Sequence, residues 1–227
     1  MGVGLDTSGW SPSQLSNFRV DRLPEKTEFT ARQLYAPGSL IIAGIALSGN
    51  SPGGVKQWIV KERDKLLPNF RVRVDDYLQF SPIAIAYGLD ALGIKSRNDF
   101  QNRTAILLKG ELVMLATTRL LKDVTRVRRP SGAGHSSFPS GHTAQAFAAA
   151  VFLSEEYKRN LPWVPYLSYG IASSVGLLRL ANNKHYIDDV LVGAGMGYLS
   201  MKLSYWTHRH KWNKKRAHRP SRAKSGW

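Results

Sequence analysis

One stretch, Lys122 to Asp189, constrains this chain more than any other, because polar blocks of related chemistry alternate there with apolar helical runs. The first block, KDVTRVRRP, sets Lys122 and Arg129 seven residues apart with Pro130 behind them. The second, SSFPSGHTAQAF, carries a loop through Pro139, Ser140 and Gly141 into a helix that opens near His142. The third, RLANNKHYIDD, spaces Arg179, His185 and Asp189 by six and four. These blocks read as pieces of one anion-handling site, and the rest of the chain as its support.

Each block contributes a different chemistry. Three cations directed at one point suit a doubly charged phosphoryl group, with Arg offering a planar fork and Lys a compact charge. Lys122 and Arg129 share a helical face if their helix reaches Pro130; if it breaks earlier, a loop must bring them together. Ser140 offers a hydroxyl and Gly141 a backbone without a Cβ, at a helix start whose N–H groups and dipole favour an anion. Ser140 is equally suited to capping that helix, and the two roles are compatible. His185 and Asp189, four apart on a helix, are neighbours; a carboxylate on one imidazole nitrogen leaves the other as a nucleophile. His142 stands beside the anion seat, placed to protonate a leaving oxygen. Asp188 is the weaker geometric match and reads as a surface carboxylate, and His135 receives no role. Any one of these residues alone reads as a solvated charge or a satisfied core histidine. Their conjunction argues for chemistry.

The flanking sequence reads as helical throughout, with few strand signals and no repeat. Residues 1–34 form an irregular lead-in, 35–205 a helical domain and 206–227 a basic, disordered tail. LIIAGIAL, inside an uncharged segment from Gln33 to Val55, is short of the ~20 apolar residues a membrane span needs and reads as a buried helix. Trp58, Ile59, Leu66 and Leu67 share one face of the next helix, and another helix begins near Pro82. From Asn102 to Lys122, Leu107, Leu108, Leu112, Ala116 and Leu120 make the apolar face of an amphipathic helix. A further helix opens after Pro162 and Pro165. The last helix carries Gly193, Gly195 and Gly197, a spacing that predicts close backbone packing. The fold class expected is an all-α bundle.

Composition narrows the partners. The 227 residues contain no cysteine, which removes disulfides and thiolate metal sites. Hydrophobic content is 43% and mean hydropathy −0.27, low for a protein threaded repeatedly through a bilayer. The N-terminus lacks the basic region and apolar run of a secretory signal. Net charge is +16, of which residues 190–227 supply +9 with no acid, so anionic partners are expected.

The order Lys-x6-Arg-Pro, Pro-Ser-Gly-His, Arg-x5-His-x3-Asp resembles the signature of the type 2 phosphatidic acid phosphatase superfamily, which also holds class A acid phosphatases and vanadium haloperoxidases. The blocks cover 68 residues. Leu178 departs from the pattern, standing where a Ser usually precedes the Arg. The resemblance implies a helical bundle with the site at one end, where the blocks meet. It implies that Lys122, Arg129 and Arg179 hold the phosphoryl oxygens with Ser140 and the Gly141 amide. It further implies that His185 attacks phosphorus, Asp189 orients it and His142 serves as acid and then base, with no metal or other cofactor. The expected substrate is a phosphorylated lipid or small phosphomonoester. The expected setting is the cell envelope or periplasm, soluble or membrane-associated, with the basic tail and an exposed Trp206, Trp212 and Trp227 against anionic lipid. Rival readings are a broad-specificity soluble acid phosphatase, a vanadium-dependent haloperoxidase, and a nucleic-acid or membrane binder with a decayed site.

Overall fold

Apolar runs punctuated by prolines and polar caps become eight α-helices, with no strand, in the computed structural model, which describes residues 29–49 and 53–209. The lead-in and the basic tail lie, apart from a few residues at their inner ends, outside the described residues. The helices are α1 (Tyr35–Leu47, entered through a 3₁₀ turn), α2 (Val55–Leu66), α3 (Val74–Leu78), α4 (Ser81–Ala91), α5 (Phe100–Thr125), α6 (Gly141–Tyr157), α7 (Val164–Ala181) and α8 (Ile187–Trp206). Pro82 and Pro165 sit in the first turns of α4 and α7, where a missing N–H costs nothing. Asp99 caps α5 by accepting from the Asn102 amide at 3.0 Å.

Helices α6 and α8 form the centre. The first packs against α4, α5, α7 and α8, and the second against α1, α5 and α6. Every residue of α6 from Thr143 to Tyr157 except Phe147 is buried. The three glycines of α8 explain how the backbones come so close, and they serve two neighbours. A Cβ at Gly193 would stand 2.6 Å from the Ser140 carbonyl oxygen, and one at Gly197 would strike the Ala144 carbonyl. A Cβ at Gly195 would meet α1 at Pro37 and Ile41. Because α5 to α8 alternate in direction, the end of α5, the start of α6, the end of α7 and the start of α8 lie at one end of the bundle.

The apolar faces are not where periodicity puts them. On α5 the core side is Ile106, Leu107, Gly110, Met114 and Thr118, whereas Leu108 (59% exposed), Leu112 (67%) and Leu120 (64%) face outward with Ala116. Helix α1, expected to be buried, buries only Pro37 and Gly44 and exposes Ile42 and Ile45. On α2 the exposed residues include Trp58 and Leu66, while the buried one is Lys56. Asp188, read as a surface carboxylate, is buried and ion-paired to Lys56 at 2.9 Å. Trp206 is partly covered, donating to Gln33 Oε1 at 2.7 Å and meeting Phe29 edge-on. No described helix is long and apolar enough to cross a membrane.

Candidate active site

Helix α5 stops at Thr125, capped by Arg126 in the left-handed region (φ 47°), so the loop brings Arg129 back toward Lys122. That loop is braced by the Ser137 amide on the Val127 carbonyl (2.9 Å) and the Ser131 amide on the Asn183 carbonyl (3.2 Å). Ser136 collects both cations: Lys122 Nζ donates to its carbonyl at 2.6 Å and Arg129 Nη2 lies 3.4 Å from its hydroxyl. Lys122 is pushed down to about 8, first by burial and then by Arg129. Arg129 is likewise lowered, by burial and by Arg179. Three cations held within reach of one another is a costly arrangement that an anion would relieve.

Ser140 is the N-cap of α6, fully buried, with its hydroxyl 2.8 Å from Thr143 Oγ1 and its amide on the Asp189 carbonyl at 2.9 Å. Its hydroxyl is thus engaged in capping. Gly141 has room beside it: a Cβ there would meet only Lys122 Cε and Thr118 Cγ2, both at 3.8 Å.

At the start of α8, Asp189 Oδ2 is the common acceptor for the Ser137 hydroxyl (2.5 Å), the Tyr186 amide (2.8 Å) and His185 Nδ1 (3.4 Å). Burial drives His185 down to about 4 against the pull of Asp189, so its imidazole is neutral near pH 7. Arg179, buried at the end of α7, donates through Nη1 to Asp75 at 2.5 Å and lies 3.7 Å from Asp76. Asp76 in turn holds His142 Nε2 at 2.9 Å. His142 is lowered, first by burial and then by Arg179, with Asp76 opposing. The buried Nε atoms of Arg129 and Arg179 and the Oδ1 of Asp189 have no hydrogen-bond partner.

All eight residues picked out in the sequence therefore gather at one end of the bundle. Three more that belong there went unpredicted: Asp75, Asp76 and Ser137. The adjacent pair of acids opening a short helix in a basic chain was visible, but nothing in its spacing tied it to blocks some fifty residues later. Ser137 lies two residues before Pro139 and had no signal of its own. Leu178 is partly buried and supplies no polar group.

With this geometry in view, the chain can be set beside known proteins. The family model of the PAP2 superfamily matches residues 104–213. This segment belongs to the PAP2 superfamily. A lipid A 1-phosphatase of Porphyromonas gingivalis is 33% identical over 139 residues, covering 61% of this chain and 31% of the relative. A probable diacylglycerol pyrophosphate phosphatase 1 of Schizosaccharomyces pombe is 38% identical over 83 residues, covering 32% of this chain and 30% of the relative. The chain thus spans about a third of the length of the curated relatives it matches. Among solved structures, LpxE of Aquifex aeolicus aligns with 64% of this chain and 93% of its own at 19% identity and a TM-score of 0.48. The first transmembrane PAP2-type phosphatidylglycerolphosphate phosphatase, from Bacillus subtilis, aligns with 75% and 94% at 24% identity and a TM-score of 0.45.

Proposed function

We propose that this protein hydrolyses phosphate monoesters of membrane lipids through a phosphohistidine intermediate. The observation that carries the reading is the pair of buried, unpartnered arginine Nε–H groups beside a neutral, carboxylate-backed imidazole. A phosphoryl group seated between Lys122, Arg129, Arg179 and the N-terminus of α6 supplies the acceptors those donors lack. The Nε2 of His185 attacks phosphorus in line while its Nδ1 faces Asp189. The bond from phosphorus to the ester oxygen breaks, and His142 delivers its proton to that oxygen. Water then attacks the phosphohistidine, gives its proton back to His142, and phosphate leaves. Asp76 favours the protonated ring of His142 and is read here as its positioning partner. Cations and amides, rather than a metal or other cofactor, meet the charge of the transition state in this mechanism.

Apolar surface at the mouth of the site argues for a lipid. The exposed stripe of α5 runs from Leu108 to Val124 and so ends beside Lys122, and Val74 and Tyr77 of α3 are exposed on either side of Asp75 and Asp76. Together with Ile42 and Ile45 of α1, these faces would rest in the apolar layer of a membrane and set the site at the headgroup level. The two curated relatives, by their names, also act on phosphorylated lipids.

The test is phosphate release from a short-chain phosphatidic acid in micelles and from a small chromogenic phosphate ester. The micellar lipid should be turned over far faster; equal turnover of the soluble ester would remove the lipid part of the proposal. His185→Ala should lose at least about a thousandfold in kcat, as expected when a nucleophile is deleted. Retention of activity by that variant would sink the mechanism.

A further inference from the structure

A cavity of about 760 Å³ adjoins the phosphate seat, sharing Arg129 with it. Its charged lining is Arg63, Asp64, Arg71, Arg73, Arg129 and Lys184, five basic side chains against a single acid. Arg63 and Asp64 pair with each other at 2.8 Å, so the other four cations face the cavity unmatched. Among the described residues, neither Arg71, Arg73 nor Lys184 makes an ion pair. Arg129 belongs to both compartments, and its Nε has no partner. Lys184 precedes His185, and its charge is felt by Asp76.

The walls of this cavity are built rather than loose. Asn182 clamps Val72 by accepting from its amide at 2.8 Å and donating to its carbonyl at 2.9 Å, which fixes the backbone between Arg71 and Arg73. Arg63 donates to the Ala181 carbonyl at 2.9 Å and lies 3.4 Å from the Phe70 carbonyl, tying α2 and the α2–α3 loop to the end of α7. Exposed lysines and arginines scattered over a basic surface would need no such scaffold. Cations gathered in a concave site raise the local potential and select anions.

We propose that this cavity is a subsite for a second phosphate of the substrate headgroup, carried apart from the phosphate that is cleaved. The inference rests on the phosphatase reading above. Its volume exceeds that of a lone phosphate, and it opens from the seat through Arg129. A headgroup reaching from the seat into it would place its second anion among Arg71, Arg73 and Lys184 while its acyl chains leave along α5. The substrate class is therefore a bis-phosphorylated lipid, and phosphatidic acid is a minimal substrate that leaves the subsite empty.

The experiment uses the full chain and two soluble probes, glucose 1-phosphate and glucose 1,6-bisphosphate, followed by phosphate release. The wild-type KM should be lower for the bisphosphate by about tenfold, the gain one added charge-assisted contact brings. In the Arg71→Gln/Arg73→Gln double variant the two KM values should converge to within about twofold, the loss falling on the bisphosphate. Both side chains are exposed, so folding is not at stake. A wild-type ratio near one, or a ratio preserved in the double variant, overturns the subsite while leaving the phosphatase reading intact. Phosphate release from neither probe nor from short-chain phosphatidic acid overturns both. A third arm assays short-chain phosphatidic acid in vesicles of phosphatidylcholine with and without phosphatidylglycerol. If the double variant is impaired only on the anionic vesicles and the soluble ratio is unchanged, the cations grip membrane headgroups and the subsite is wrong.

Discussion

Both ends of the helical bundle bury charge, and they do so in opposite ways. At the end away from the site, Glu155 receives Lys202 at 2.6 Å, Lys158 at 2.8 Å and Arg97 at 3.2 Å. Its neighbour Glu156 accepts from the Asn98 amide and side chain (2.9 and 2.8 Å) and from the Tyr205 hydroxyl (2.7 Å). The unpartnered polar atom there is Arg103 Nε, whose guanidinium lies over the Tyr87 ring. At the site end more polar atoms are left without a partner: the Nε–H groups of Arg129 and Arg179 and the Oδ1 atoms of Asp188 and Asp189. A structural network neutralises itself, because an uncompensated buried charge costs several kcal/mol. A site for an anion keeps the mismatch, which its ligand then removes. Charge alone does not separate the two ends; satisfaction does.

The largest effect that would break this contrast is at the far end. Glu155→Ala strands the buried Lys202 and removes one partner of Arg97, and the unfolding free energy should fall by about 3–5 kcal/mol, while kcat of the protein that remains folded stays near wild type. Denaturant unfolding beside a kinetic assay measures both. A large loss of kcat at unchanged stability would mean that the far end takes part in the chemistry. Arg129→Ala should do the reverse. Losing one of the donors to the transition state should cost about 10²–10³ in kcat. Stability should hold or rise, since repulsion with Lys122 and Arg179 is relieved. If Arg129→Ala unfolds the protein, the cation is structural and the contrast fails.

The sequence showed the site end far better than the far end. The three blocks carried their own spacing, and the helices between them had clear starts at Ser140 and Pro165. The far end carried no comparable signal: EEYKRN is a charged helix terminus, and Glu155 and Glu156 are buried in it because α5's approach and α8's end supply Arg97, Asn98, Lys202 and Tyr205 from some fifty residues away on either side. Such partners have no local signature. The α5 face failed for another reason. A 3.6-residue period reports that one side of a helix is apolar, but it does not say whether that side meets protein or lipid. Leu108, Leu112 and Leu120 satisfy the period and face outward. Asp75 and Asp76 could not be tied to the site because a five-residue helix offers no periodicity at all.

The finest test separates the ends by pH. Lys122 has its folded pKa lowered from 10.5 to about 8, burial being the main cause. Its charge in the free enzyme is therefore lost as pH rises through about 8, and kcat/KM, which reports the free enzyme, should fall on that side. Stability moves the other way. Between pH 8 and 10.5 the unfolded chain binds more protons at this residue than the folded one, so Lys122 contributes an unfolding free energy that rises with pH. Glu155 shows the other pattern. Lys202 and Lys158 outweigh its burial and hold its folded pKa below 4.5, so it gives stability above the unfolded value that is lost as pH falls through the folded one, with no alkaline effect. In Lys122→Arg the guanidinium stays charged across this range, and the alkaline limb near pH 8 should disappear from the kcat/KM profile even where the rate itself drops. A limb that persists near 8 in that variant would assign it to another group and leave Lys122 a bystander to the phosphate seat.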